Sequence, residues 1–418
     1  MTEAGELLPR RAVVAMFLSF ALVYFFSALL RAVIATLAPA FSAELALSAA
    51  DLGLLAGAYF LGFASTQLPL GSALDSHGPK RVMLALLTLA VIGCGLFASA
   101  QHFAGLIVAR LLIGMGVSAC LMAPMTSFRR HLAPRTQLRA TSWMLMTGSS
   151  GMVASTLPVQ WVLPLLGWRG LFWALAACLV LAMGAIALWA PRDPAPSEAT
   201  RRPGVMAGYA QVFRHRTFRR FLPMAFFQYG GLLALQALWI GPWLTRVCGW
   251  SPGEAAQGLF LINGCMLLAF LSWGALVPRL FARGWSAYSL IRLVLPVSLG
   301  ALTFALVLGA RAGAPIWALF CVSSSVVSLA QPTVGLAFEA RLAGRALSSF
   351  NLLTFVGVFV VQWAIGGLID LLSTLGWTPV AAFRGAFGVL AAGCLMSYVW
   401  FLGFDDTPVP ASVVEVDK

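Results

Sequence analysis

One residue stands apart for its chemistry. Arg31 lies inside an apolar run that extends from residue 12 to residue 40. With the run centred near residue 26, its guanidinium sits about 7.5 Å from the middle of a membrane, at 1.5 Å of rise per residue. A charge at that depth costs several kcal/mol unless a partner or a water-filled cavity compensates. All 14 Asp and Glu fall in tails, loops or at helix ends, so no mid-span carboxylate is available. An Arg without such a partner suits an incoming carboxylate or phosphate, which its planar fork grips at two points. The alternative is a structural Arg bonded to the backbone of an adjacent helix. Tyr24, Ser27, Ala28, Arg31 and Ala35 share one helix face by i, i+3, i+4 and i+7 steps. Their small and polar types fit either a cavity wall or close helix packing. In the run 221–245, Tyr229 and Gln236 repeat the aromatic-then-polar spacing of seven, and Asn263 follows in the next run. The predicted substrate-binding set is therefore Arg31, Tyr24, Ser27, Tyr229, Gln236 and Asn263. Further polar candidates are Gln67, Gln228, Ser323, Ser324, Ser325, Asn351 and Gln362, each expected to hydrogen-bond a neighbouring helix before it meets substrate.

The elements that must hold these residues follow from composition. Of 418 residues, 60% are apolar and only 10% charged, far from the roughly 25% charge of soluble domains. That excludes a water-soluble fold and intrinsic disorder. Seven Cys, six of them in apolar runs, exclude a disulfide scaffold. A membrane span needs about 20 mostly apolar residues. Twelve such runs occur, near 12–40, 52–72, 82–100, 103–126, 141–164, 170–190, 221–245, 255–277, 286–309, 315–336, 347–370 and 381–404. The first is too long for a signal-peptide core and is read as retained. The aromatic residues are expected mostly at lipid-facing and interfacial positions.

With both termini on one side, 20 of the 27 Lys and Arg fall on that side. Arg169, Arg246, Arg311 and Arg384 fall on the other. This bias predicts cytoplasmic termini and accounts for the +13 net charge without nucleic acid. The two halves echo each other. Ser48 and Asp51 open the second run as Ser251 and Glu254 open the eighth, both as capping signals at an offset of 203. Pro39 and Pro242, and Gly71 and Gly274, repeat that offset. The predicted fold is an all-α membrane protein with twelve transmembrane helices in two pseudo-symmetric six-helix bundles. The bundles span 1–190 and 221–404, with a cytoplasmic linker at 191–220 and a cytoplasmic tail at 405–418.

After the second run comes Gly71-Ser-Ala-Leu-Asp75-Ser-His-Gly78-Pro-Lys80-Arg81. Gly71 suits close helix approach and Gly78 a positive φ. Asp75 can face a helix N-terminus or an Arg, and Lys80 and Arg81 hold the loop inside. This stretch resembles the signature loop of the major facilitator superfamily, G-x-x-x-D-x-x-G-x-[RK]-[RK]. Arg110-Leu-Leu-Ile-Gly114-Met-Gly116 is similar to the family's second motif, R-x-x-x-G-x-G. The half-two copy of the loop is degenerate, with Pro278 where the Asp would stand. The helix-5 motif of drug antiporters is poorly met, although Gly148, Gly151 and Pro158 are present. The resemblance covers residues 10–404. It implies a twelve-helix fold that rocks its bundles, a role for Asp75 in holding one state across the bundle interface, and a buried Arg110 with a structural or coupling role. Among relatives, organic-anion and sugar-phosphate permeases share an Arg shortly before Ala-Pro, as Arg31 precedes Ala38-Pro39 here.

The functional expectation is a secondary transporter of a small organic anion, a carboxylate rather than a phosphate ester, across a bacterial inner membrane. A phosphate ester is disfavoured because Ala234 occupies the position that corresponds to Arg31 in the second half. Drug or cation efflux and a transporter-like ligand sensor are the alternatives. The four His lie in loops or at helix ends, so anion exchange, a proton carried with the substrate and facilitated diffusion all fit. There is no catalytic set and no Walker loop, and neither a cofactor nor a metal is expected. The expected partners are the small anionic substrate and the lipid bilayer, not nucleic acid, with the chain acting as a monomer.

Overall fold

The computed structural model describes residues 9–191 and 207–404, and within them there is no β-strand. The first part of the linker and the tail 405–418 lie outside the described residues. Twelve helical passages follow in chain order. α1 is Arg10–Leu45. α2 joins Ala49–Ser65 to Gln67–His77 across a 46° bend. α3 is Pro79–Ser99. α4 joins Phe103–Val117 to Met122–His131 across a turn at 118–121. α5 is Pro134–Ala154 continued by residues 157–166, and α6 is residues 168–189. Gly167 separates the last two with φ 62°, a left-handed conformation that glycine adopts without strain. The second half holds α7 (Arg216–Val247), α8 (Pro252–Ala282), α9 (Ala287–Leu308), α10 (Ala314–Leu336), α11 (Ala340–Thr374) and α12 (Pro379–Leu402).

Ten of the described helices are long and apolar enough to cross a membrane, and eleven with the bent pair that makes α2. The remaining passage is α5, expected from the run 141–164, whose first segment Pro134–Ala154 is not among them. Several helices outrun the apolar runs. α1 continues to Leu45, α7 starts at Arg216 and α11 at Ala340. Apolarity marks the thickness of the hydrocarbon, whereas backbone hydrogen bonding continues into the polar boundary layer.

The repeated caps form at both predicted places. At the start of α2, Ser48 Oγ accepts from Asp51 N at 3.1 Å and Asp51 Oδ2 accepts from Ser48 N at 3.1 Å. At the start of α8, Ser251 Oγ accepts from Glu254 N at 3.3 Å and Glu254 Oε2 accepts from Ser251 N at 2.8 Å. Each box satisfies two backbone donors that the helix itself leaves over.

The halves meet most closely on the face opposite the chain ends, here the distal face. A Cβ at Gly53 would lie 2.5 Å from the Gln362 carbonyl oxygen, and one at Gly366 2.3 Å from that of Ala49. Gly241 brings α7 equally near α1, with 2.8 Å to the Ala35 oxygen. Asp370 at the end of α11 caps α2 across the interface, accepting from Ala49 N at 3.0 Å and Ala50 N at 2.7 Å. Arg246 adds a bond to Ser42 Oγ at 3.1 Å. On the face of the chain ends, the linker helix Ala207–Arg214 rests on the second half. Gly208 packs on Arg345, and the His215 ring lies 4.3 Å from that of Phe338.

The aromatic residues divide: eight of the 14 Trp are exposed, as expected of lipid-facing and interfacial rings, whereas 13 of the 29 Phe are buried. Trp168, Trp239, Trp243 and Trp317 are buried. Trp243 and Trp317 both donate to the Ala312 carbonyl, at 3.1 and 3.2 Å, which fixes the α9–α10 turn inside the second half. An indole is buried without penalty when its N–H finds such an acceptor.

Candidate functional site

Arg31 is half-buried in α1, where the two halves approach. The titratable groups within its electrostatic reach include the hydroxyls of Tyr59, Tyr24 and Tyr229, and among the described residues none is a carboxylate. Tyr59, from α2, is its side-chain hydrogen-bonding partner. The Tyr59 hydroxyl in turn donates to the Ser27 carbonyl at 3.3 Å. Tyr24 comes from the same helix as Arg31, two turns earlier. Tyr229 comes from the second half. The turn at 118–121 in α4 brings Cys120 into the same neighbourhood.

Each of these positions has a local cause. The Tyr24 ring lies against α5 where Gly148 has no side chain, since a Cβ there would fall 2.3 Å from Cε1. Gly151 likewise admits the Phe25 carbonyl. Both glycines thus seat α1 against α5. Tyr229 ends a π-helical turn, Ala225–Tyr229, and two more follow at Leu235–Trp239 and Trp243–Val247. Such turns add a residue per winding, re-aim the side chains they carry and recur at functional sites.

The helix face expected around Arg31 divides in two. Ala28 and Ala35 are buried, Ala28 against Gly151 and the Ala35 carbonyl against Gly241. At those positions small residues serve close packing and not a cavity, because glycines on α5 and α7 let the backbones approach. Ser27 is buried as well. Gln236 and Asn263 are bonded to each other at 2.9 Å, and Asn263 also donates to the Leu259 carbonyl. They tie α7 to α8. The other polar candidates are engaged too: Gln67 with the Phe63 carbonyl, Gln228 with that of Cys394, and Asn351 with Gln331. Ser324 bonds Ser298, Ser323 the Leu319 carbonyl, and Ser325 accepts from Trp273. Gln362 differs, being wholly buried with neither amide atom bonded among the described residues.

Arg110 is fully buried in α4. One of its terminal nitrogens donates to the Leu30 carbonyl at 2.9 Å, and its guanidinium carbon lies 4.9 Å from the centre of the Tyr59 ring. Gly114, one turn on, lets α4 touch α2 at the Tyr59 carbonyl, where a Cβ would fall at 1.9 Å. Arg110 and Gly114 therefore fix the two residues, Leu30 and Tyr59, that flank Arg31.

In the loop after α2, Gly78 takes φ 79°. Lys80 Nζ donates to the carbonyls of Ala187 and Ala190 at 2.7 and 2.8 Å, a cation at the carbonyl end of α6. Gly71 has open space where a Cβ would lie, so close helix approach is not its role here. Asp75 and Arg81 are exposed, and Asp75 makes no hydrogen bond or ion pair among the described residues. Among the described residues the predicted contact of Asp75 with a helix end or an Arg is not seen.

Sequence reasoning missed two functional positions. Tyr59 carried a signal, since it is one of only six Tyr and lies inside a run. Asp370 carried none beyond its place at a helix end.

Twelve helical passages in two halves that approach one another around Arg31 define an all-α membrane fold. The chain belongs to the Major Facilitator Superfamily, whose model matches residues 20–362. It is 29% identical over 192 residues to the multidrug resistance protein MdtL of Escherichia coli, covering 44% of this chain and 48% of that protein. The chain thus spans about half the length of the curated relatives it matches. Among solved structures it is similar to a bacterial homolog of the human lysosomal transporter Spinster, in an inward-facing and unoccupied conformation. That match has a TM-score of 0.76 and 16% identity, over 94% of this chain and 97% of that one. A D-xylose–proton symporter gives a TM-score of 0.72 and 13% identity over 94% and 98%. At these identities the likeness is one of fold.

Proposed function

We propose that the protein is a secondary transporter that moves a small organic anion, a carboxylate rather than a phosphate ester, across a bacterial inner membrane by alternating access. The halves 1–190 and 221–404 move about Arg31 as the central anion site. Both termini, the linker and the tail lie in the cytoplasm. The observation that carries this is a surplus of donors. Arg31 has three tyrosine hydroxyls around it and no carboxylate among the described residues. The hydroxyls of Tyr24 and Tyr229 have no hydrogen-bond partner there either. A half-buried cation without a counter-charge is costly, and an anion arriving from water supplies one. One cation with neutral donors favours a single negative charge.

The name of the MdtL relatives raises drug or cation efflux as the other possibility. A cationic cargo needs an acceptor, and an Arg beside tyrosines repels it, so the anion is favoured. The test is uptake into proteoliposomes with a panel of radiolabelled small carboxylates. Arg31→Ala abolishes uptake of the carried acid while the protein stays folded, and Arg31→Lys weakens it about tenfold or more. Full uptake in both variants would refute the assignment.

A further inference from the structure

The polar groups along the interface fall into spent and unspent. Gln67, Gln228, Gln236 and Asn263 are each held by another protein group. Gln362, Ser349 and two guanidinium nitrogens of Arg110 have no hydrogen-bond partner among the described residues but are sealed from solvent. What is left to meet a ligand is the Arg31 guanidinium with the Tyr24 and Tyr229 hydroxyls. These can satisfy one anionic group and little else. A sugar acid or a phosphorylated sugar brings several hydroxyls, and each one taken from water without a partner costs binding energy. A dianion would also leave one charge unmatched in a medium of low dielectric.

The surface beside the cation is instead aromatic. The Tyr59 and Phe63 rings lie 6.4 Å apart, and Phe63 and Phe355 4.4 Å apart, so one line of rings leads from the Arg31 partner across the α2–α11 seam. Phe63, Phe355 and Tyr229 are only partly buried. Rings gain from offset or edge contacts with another ring.

We infer that the cargo is an aromatic monocarboxylate. Its carboxylate meets Arg31 and the free tyrosine hydroxyls, and its ring packs on Tyr229 and the Phe63–Phe355 pair. This rests on Arg31 binding an anion and adds the body that the anion carries.

The experiment uses the full chain in proteoliposomes. Benzoate, 4-hydroxybenzoate and phenylacetate form the aromatic arm, and gluconate and glucose 6-phosphate the hydroxylated arm. Butyrate serves as an aliphatic acid and benzamide as a neutral ring. The aromatic acids are taken up at least about tenfold faster than gluconate or glucose 6-phosphate, and benzamide does not compete. Tyr229→Leu lowers the ratio of benzoate to butyrate uptake about three- to tenfold, whereas Tyr229→Phe, which keeps the ring, preserves the ratio. Should Tyr229→Leu not fold, Phe355→Leu reads the same ratio. Uptake of gluconate or glucose 6-phosphate that depends on Arg31 and matches the aromatic acids overturns the aromatic assignment and leaves the anion site standing. Three inert aromatic acids overturn it too. Benzoate uptake that survives Arg31→Ala sinks the anion site itself.

Discussion

The distal seam and the centre of the molecule are built on opposite rules. At the seam, polar groups are matched: Asp370 meets two backbone N–H groups of α2, and Trp239 donates to the Gln362 carbonyl at 3.1 Å. Glycines remove the side chains that would keep the backbones apart. At the centre, a guanidinium has tyrosine hydroxyls but no carboxylate about it, and the hydroxyls of Tyr24 and Tyr229 have no hydrogen-bond partner among the described residues. A matched seam stabilises one arrangement of the halves, while an unmatched centre gains most when something else arrives. A carrier needs both properties, because a ligand shifts an equilibrium only by binding one arrangement better than the other.

The seam is the easier of the two to break. Gly53→Val places a side chain 2.5 Å from a backbone oxygen that cannot turn aside. The expected cost to the closed distal face is about 3 kcal/mol, enough to hold the halves apart. Spin labels on the turns at 46–48 and 375–378 should report a longer distance in this variant. An unchanged distance would mean that the seam yields more readily than its backbone contacts imply.

Asp370→Ala removes the cross-interface cap and leaves the glycine contacts in place. Two charge-assisted bonds are lost, for an expected cost of about 2 kcal/mol, or roughly a thirtyfold shift toward distal opening. The same labels measure it. The loss should be smaller than for Gly53→Val, and the reverse order would make the cap, not the backbone contact, the main fastening.

How much of this was legible beforehand differs between the two regions. Arg31 was visible because its cost in hydrocarbon depends on depth, and depth can be counted along one run. The caps at Ser48 and Ser251 were visible because their partners lie three residues away. Tyr59 and Asp370 were not, because their roles depend on partners in other helices, Asp370 on one 320 residues away. The pairing of Gln236 with Asn263 was hidden likewise, since spacing along α7 does not say that α8 already holds the amide. The π-helical turns of α7 lie against α1 and α11, and contacts between helices leave no local pattern to read.

Gln362 is the exception at the seam. Its side-chain amide, on α11, is fully buried without a bond to the protein among the described residues. Replacing such a group by an apolar one of similar size is often stabilising. Gln362→Leu should therefore strengthen the closed seam by about 1 kcal/mol, seen as a higher midpoint of thermal unfolding and slower exchange between states. A lower midpoint would show that the amide is paired, and that the seam is matched throughout.

The smallest expected effect lies on the opposite face, where α7 begins. His215 caps that helix: its Nδ1 accepts from Thr217 N at 3.3 Å, and its ring rests on Phe338. Only the neutral imidazole can accept that bond, and burial holds its pKa below the ordinary histidine value. The cap's contribution is then fully present above about pH 6.5. It fades as the pH falls through the folded-state value, since the unfolded chain takes up the proton first. Loss of one cap is worth about 0.5–1 kcal/mol, which for a protein of this size is a shift of a few degrees at most. Wild type should lose that increment between pH 7.5 and pH 5, and His215→Ala should lack it at both values. If the two proteins track each other across the range, the start of α7 is held by the linker helix and Phe338 rather than by its cap, and the face of the chain ends is fastened by packing alone.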